Sequence, residues 1–465
     1  MAEMNHPPQQ VSSLDSVHWR QRLSVLAAEH GVTGAVLGIL QGEDVVDAAF
    51  GVTNVRSGDP VHTDTVFQIG SITKVYTATA VLRLVADGNL DLDKPLSAIS
   101  PTLRLAHDGA QRITVRNLLT HTSGIAGDLF TDTGRGDDCL ERFVDGLATV
   151  APLLPPGMSF SYCNSGYTVL GRIIEQVTGK SWDRAMRELV FTPMGLDRTM
   201  TLPEEALLHS AAMGHERQPD GTLQPAARWG LPRSNGPAGG IVATARDVLA
   251  FARFHLDDGH ASDGRSLMPA DLVREMRSVR TELPFHDGEN DALGLTWFRK
   301  TWEGHPLVGH DGDTIGQTAF LRLLPSQRLA VVLLTNGGPA RDLYRALYSE
   351  IFSALAGVAM PAPLRPPGDP AVFDIRRHTG VYRGHDYENE VLDRNGAPGL
   401  RWAARGPLRE VMPAAGGEYE TVAAGPDLLL YREPGGHRWH PATFTRLPDG
   451  RPGLHIGLRV YVRVA

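Results

Sequence analysis

Phe67-Gln68-Ile69-Gly70-Ser71-Ile72-Thr73-Lys74-Val75-Tyr76 decides how the rest of the chain is read. A Gly precedes a Ser, and a Lys follows three residues later. Ile72, Val75, Leu82 and Val85 recur at helical spacing and Gly88 supplies a stop, so the pattern predicts a helix starting near Ser71. Lys74 then lies one turn on, on the same face. The positive end of the helix dipole favours negative charge beside Ser71 and disfavours a proton on Lys74. A neutral amine within reach of a serine hydroxyl can serve as its base, which makes Ser71 a candidate nucleophile and Lys74 its candidate base. The plain alternative is a capping Ser and a surface Lys. Lysine usage bears on that choice. Only four lysines occur, Lys74, Lys94, Lys180 and Lys300, among 45 Lys and Arg together. A chain so biased to Arg keeps Lys where Arg will not serve, and Arg cannot give up its proton.

A length of 465 residues predicts two domains. A formal charge of −8 offers no basic face, so no nucleic-acid partner is expected. Cys139 and Cys163 are too few for a disulfide framework. The first ten residues are polar, without a basic stretch leading into an apolar core, and no apolar run approaches a bilayer span. The expectation is a soluble cytoplasmic protein with no membrane partner. Residues 1–14 read as a disordered N-terminus.

Helical spacing covers residues 13–29 (Leu14, Trp19, Leu23, Leu26). Residues 34–40 and 45–52, joined at Gln41-Gly42-Glu43-Asp44, read as a strand hairpin. From Asp87 to about Glu188 the pattern is mostly helix and loop; residues 192–237 are loop-rich and suit a lid or cleft wall. Residues 243–257 read as a helix capped by Thr244. Residues 307–312, 319–324 and 329–334 read as successive strands, and 342–356 as an apolar helix. Pro361, Pro363, Pro366, Pro367 and Pro370 then crowd a linker, 358–372. Beyond it, 373–465 carries short runs such as 387–392, 400–404, 427–431 and 454–464 between Gly, Pro and Asp. That is the pattern of a small antiparallel β domain, barrel-like if closed. The fold class is therefore α/β (α+β): residues 15–357 form a catalytic domain with an antiparallel sheet flanked by helices, and 373–465 a small β domain.

Three further stretches carry chemistry. In Phe160-Ser161-Tyr162-Cys163-Asn164-Ser165-Gly166-Tyr167, a phenol and a carboxamide two residues apart can both face a cleft, though Asn-Ser-Gly is also a common turn. In Val308-Gly309-His310-Asp311-Gly312-Asp313-Thr314, His310 is placed to orient a substrate, and Gly312 lets a substrate backbone approach. A Ser-His-Asp triad through His310 and Asp311 is disfavoured, because adjacent strand residues point to opposite faces and no Gly-x-Ser-x-Gly elbow occurs. In Pro237-Ala238-Gly239-Gly240-Ile241-Val242-Ala243-Thr244, the glycines, Gly240 among them, allow a ligand or another backbone close; a plain turn explains them equally well. His121, in Leu118-Leu-Thr-His-Thr-Ser-Gly124, is a catalytic candidate but reads better as a structural histidine bracing a loop near the site. No His-Glu-x-x-His, Cys-x-x-Cys, phosphate loop or dinucleotide fingerprint occurs, so neither a metal nor a cofactor is expected.

Taken together these stretches resemble the serine β-lactamase and penicillin-binding-protein superfamily, most of all its class C β-lactamase, D-amino-acid peptidase and esterase branch. Ile69-Gly-Ser-Ile-Thr-Lys74 is similar to the first motif, Tyr162-Cys-Asn164 to the Tyr-x-Asn motif, and His310-Asp-Gly312 to a His-x-Gly variant of Lys-Thr-Gly. The resemblance covers roughly residues 15–355. It implies that Ser71 is acylated, Lys74 is base or relay, Tyr162 shuttles a proton, and Asn164 positions substrate. It also implies that the backbone N–H groups of Ser71 and Asp313 form the oxyanion hole. His310 in place of Lys implies weaker binding of a carboxylate, hence poor β-lactam hydrolysis. The C-terminal domain resembles the lipocalin-like domain of penicillin-binding-protein-type thioesterases, which release and cyclise nonribosomal peptides. On that likeness Arg459 or Arg463 would reach the cleft, and the substrate would be an acyl or peptidyl (thio)ester, presented on a carrier protein. A general esterase or D-amino-acid amidase, and a catalytically dead binding protein, stand as the alternatives.

Overall fold

The computed structural model describes residues 14–218, 220–285, 289–369, 371–406, 409 and 415–464. The N-terminal expectation thus falls outside the described residues, except for Leu14, which packs against a core.

Helix α1 (Ser16–Glu29) begins at Asp15, whose side chain accepts from Val17 N at 2.8 Å. The expected hairpin follows as β1 (Gly34–Gln41) and β2 (Asp44–Gly51), paired in register from Gly34↔Gly51 to Gln41↔Asp44. Helix α2 (Thr73–Ala86) carries the Lys74 motif, α3 (Asn164–Thr178) follows the Tyr162 stretch, and α4 (Ala245–Leu256) is capped by Thr244 as expected. Short strands β3 (Thr281–Glu282) and β4 (Ala292–Leu293) precede β5 (Phe298–Trp302), β6 (His305–Asp313), β7 (Thr318–Leu324) and β8 (Leu329–Thr335). Helix α5 (Ala340–Ala356) closes this part.

These strands form one eight-stranded sheet in the order β2-β1-β8-β7-β6-β5-β4-β3. Both faces are covered, so β1 and β8 are buried almost throughout rather than alternating with water. Side chains still alternate between two cores. Val36, Leu40, Leu321, Leu323 and Val332 face α2, α3 and α4, whereas Ala35, Leu37, Ile39, Phe320 and Val331 face α1 and α5. Gly38 lets α4 settle on the sheet: an added Cβ there would lie 2.9 Å from Leu249 Cδ1. Arg22 of α1 pairs with Glu350 of α5 through two hydrogen bonds, tying the outer helices together.

The second body is a closed eight-stranded barrel, β9 (Gly380–Arg383), β10 (Tyr387–Arg394), β11 (Ala397–Ala404), β12 (Gly416–Gly425), β13 (Leu428–Arg432), β14 (His440–Arg446), β15 (Pro452–Ile456) and β16 (Arg459–Arg463). It closes where Tyr382 of β9 meets Arg463 of β16. The expected run 454–464 is two strands, because the chain reverses at Gly457-Leu458, both at positive φ. Tyr382, Val391, Leu400, Leu429, Phe444 and Leu454 fill its interior.

The barrel rests on the first body through two apolar patches. Leu458 packs on Phe160, Tyr162, Leu283, Phe285 and Phe298, and Leu447, Val460 and Val462 pack on Leu154. Among the described residues no helix is long and apolar enough to cross a membrane.

Candidate active site

Ser71 sits in a 3₁₀ turn, Gly70–Ile72, that runs directly into α2. The turn is held from two sides. Ile69 N donates to Ile241 O and Ile241 N to Thr73 Oγ1, both at 3.0 Å, so the segment before α4 pins one flank. The end of β6 pins the other. A Cβ on Gly70 (φ +52°) would lie 2.6 Å from Asp313 N, and one on Gly312 would lie 1.9 Å from Ile69 O and 3.0 Å from Ser71 N. The closeness at Gly312 is therefore to the chain's own backbone, not to a substrate as the sequence suggested. Its result is that the Ser71 and Asp313 amides are brought together.

Lys74 is fully buried behind Ser71. Its Nζ lies 2.9 Å from Ser71 Oγ and donates to Ala238 O at 2.6 Å. Burial pushes the amine well below the ordinary lysine range, and the Arg459 charge pushes it further; Asp128 works against both. The helix dipole invoked from sequence is thus joined by a larger cause, desolvation. Of the other lysines, Lys300 is also buried, whereas Lys94 is exposed and Lys180 half-buried, paired with Asp91 and Glu188.

Tyr162 is buried between His121, stacked at 4.3 Å between ring centroids, and Phe298 at 6.3 Å. Burial raises its phenol well above the ordinary tyrosine value, against the opposing pull of the neighbouring Ser71 hydroxyl. The Lys74 amine stands 4.9 Å from the ring centroid. His121 plays the bracing part expected of it: its Nδ1 accepts from Cys163 N at 3.0 Å. The Cys163 thiol in turn caps α3 by accepting from Gly166 N at 3.2 Å. Asn164 is the first residue of α3, and its Nδ2 donates to Asp128 Oδ1 at 2.7 Å.

Asp128 has no sequence signal, being a lone acid after Gly127. Its importance comes from a distant residue. Arg459 of β16 donates to it twice, Nε to Oδ2 at 2.5 Å and Nη2 to Oδ1 at 2.7 Å, and lies 5.1 Å from the Tyr162 ring centroid. Arg463 turns elsewhere, donating to Arg377 O. The barrel also reaches Tyr162 through backbone: Tyr162 N donates to Leu458 O at 2.9 Å, and Val460 N to Ser161 Oγ at 3.3 Å.

His310 points toward the Tyr162 ring, 6.2 Å between centroids, while its neighbour Asp311 points away to Arg322 and Arg341. No triad forms through them. Burial, with the Lys74 charge adding to it, pushes the imidazole down to about 3. Asp313 is raised above the ordinary carboxylate range by burial, against the pull of Arg341.

Ser71, Tyr162, Asn164, His310 and Asp313 line one cleft of about 1150 Å³, lined also by the linker (Ala362 to Pro366) and by barrel residues including Tyr431, Trp439 and Arg459. Gly240 is not part of its lining. An added Cβ there would meet Gly236 Cα at 2.8 Å, so this glycine serves the tight turn that presents Ala238 O to Lys74. Among the described residues no group of three or more His, Cys, Asp or Glu stands together as a metal site.

The sequence profile of the family described as Beta-lactamase matches residues 19–355. Penicillin-binding protein 4 of Amycolatopsis lactamdurans is 45% identical over 371 residues, covering 79% of this chain and 97% of that protein. D-aminopeptidase of Gluconobacter oxydans (strain 621H) is 27% identical over 340 residues, 70% of this chain and 59% of that protein. Among solved structures, SurE superposes with a TM-score of 0.81 at 30% identity over 97% of this chain and 99% of that one. SurE with D-Leu does so with a TM-score of 0.76 at 31% identity.

Proposed function

The chain belongs to the beta-lactamase family, and we propose that it is a thioesterase-cyclase: Ser71 takes the acyl group of a peptidyl thioester presented on a carrier protein and hands it to an amine of the same peptide. The observation that carries the serine chemistry is the buried Lys74 amine, depressed in pKa and 2.9 Å from Ser71 Oγ. The neutral amine removes the Ser71 proton as Oγ attacks the thioester carbonyl. The amides of Ser71 and Asp313 hold the oxyanion. Tyr162, in the same cleft as Ser71 and beside Lys74, returns the proton to the departing thiol. Asn164 and His310 line the same cleft.

Three observations support a peptide rather than a small ester. The cleft is large and shared between both bodies. SurE matches this chain over nearly its whole length and was solved with D-Leu, consistent with a D-residue at the acylating position. His310 is held neutral, which suits a cleft without a fixed cation for a carboxylate. The second reading, a general esterase or D-amino-acid amidase, is favoured by the likeness over 340 residues to a D-aminopeptidase.

Incubation with peptidyl thioesters ending in D- or L-residues, followed by mass spectrometry, separates the readings. A Ser71 adduct and a cyclic product from the D-terminated peptide are expected. Neither adduct nor cyclic product from either peptide would sink the cyclase; rapid hydrolysis of short p-nitrophenyl esters without peptide preference would favour the esterase.

A further inference from the structure

We infer that Asn164 Oδ1 and His310 Nε2 form an acceptor-only subsite for the incoming primary amine, an inference that rests on the acyl-transfer reading above. The polarity of both groups is forced by what lies behind them. Asn164 faces Asp128 at 2.7 Å, and Asp128, bound twice by Arg459, is a carboxylate with no proton to give. Asn164 must therefore turn its NH2 to Asp128, leaving its carbonyl oxygen for the cleft. His310 Nδ1 lies 2.6 Å from Asp311 O, a carbonyl that only accepts. Nδ1 must carry the ring proton, and Nε2 is left with a bare lone pair. That Nε2 is buried and has no hydrogen-bond partner, in a residue only 3% exposed that lines the cleft. A buried acceptor left unmade asks for a donor.

Both residues line the cleft that holds Ser71, Asn164 two residues beyond Tyr162 and His310 6.2 Å from the Tyr162 ring, beside the serine where a leaving group departs and a nucleophile enters. Carbonyls and anions find no donor on these two side chains. A neutral primary amine fits: it offers two N–H groups and keeps a lone pair for attack. In the step it serves, the amine nitrogen bonds the acyl carbon of the Ser71 ester and the C–Oγ bond breaks. The proton lost by nitrogen passes through Tyr162 and Lys74 to Ser71 Oγ, giving an amide and free serine.

The test acylates the enzyme with an N-acetylated peptidyl N-acetylcysteamine thioester ending in D-Leu, so that its own amine is blocked. Phenylalaninamide or N-methylphenylalaninamide is then added, and amide and acid products are quantified. The ratio of products from one acyl-enzyme is independent of how fast that intermediate forms, so a merely structural lesion leaves it in place. The primary amine is expected to partition at least about tenfold better than its N-methyl counterpart, beyond any difference in buffer alone. His310→Lys, which offers only donors, is expected to cut the amide-to-acid ratio at least about tenfold, and His310→Gln, with an acceptor oxygen, to restore most of it. Equal partition of the two amines in the wild type, or an unchanged ratio in His310→Lys, overturns the subsite. An adduct that only hydrolyses, whatever the amine, overturns it alone; absence of any Ser71 adduct overturns the acyl-transfer reading with it.

Discussion

Arg459 depresses the Lys74 amine and Asp128 raises it, so neutralising one or the other should move its titration in opposite directions. The base must be neutral to act. Activity is therefore present above the folded pKa of Lys74 and lost as pH falls through it. Arg459→Met removes a repelling charge and raises that pKa, which moves the acid limb of kcat/KM to higher pH; Asp128→Asn moves it to lower pH. Profiles of both variants on one thioester check this, and a limb that Arg459→Met leaves unmoved would remove Lys74 as the titrating group. Lys74→Arg, unable to deprotonate, should lower kcat by about 10²–10⁴-fold, measured on the same substrate. At this scale the sequence was informative wherever chemistry is local. Ser71 and Lys74 are one helical turn apart, and Tyr162 and Asn164 lie on either side of a helix cap, so their spacing foretells their meeting. Asp128 was not legible, because what defines it is Arg459, brought to it by the last barrel strand.

The junction of β6 with the turn before α2 is the element on which the candidate oxyanion hole depends. Gly312→Ala would drive a methyl into Ile69 O, from which its ideal position is 1.9 Å, and part the Ser71 and Asp313 amides. A kcat loss of about 10²–10³-fold is expected, as for removal of one oxyanion donor, with the fold retained by circular dichroism. Behind β6 a different constraint operates. Arg322 of β7, fully buried, donates to Asp311 Oδ1 at 2.5 Å and to Tyr344 Oη at 3.1 Å. Arg322→Met would leave Asp311 without its main partner and should cost roughly 3–5 kcal/mol in denaturant unfolding. The strands β7 and β8 were legible because apolar runs joined by Pro325-Ser326-Gln327-Arg328 admit few other readings. The split of residues 454–464 was not, since Leu458 takes a positive φ without being Gly or Asn, and its neighbours keep their strand character on both sides.

The whole molecule is built as two bodies clasping one cleft, and the sequence pointed to both without showing how they touch. Barrel-forming residues are recognisable by their turns; the apolar side chains that dock, Leu447, Leu458, Val460 and Val462 among the described residues, look like many others in the sequence. Excising the barrel at the linker would bare Leu154, Phe160 and Phe285 and free the Tyr162 loop from Leu458 O. The shortened chain should bind a hydrophobic dye and lose at least about tenfold in kcat/KM, measured beside the intact protein. The lysine distribution described above has a practical consequence for such work. Amine-directed reagents meet exposed Lys94 and, less readily, half-buried Lys180, while Lys74 and Lys300 are shielded, and neither Lys94 nor Lys180 lines the cleft. The protein can therefore be coupled through its lysine amines to a bead or a sensor chip with its reactive centre left open, so that acylation and release can be followed on immobilised enzyme.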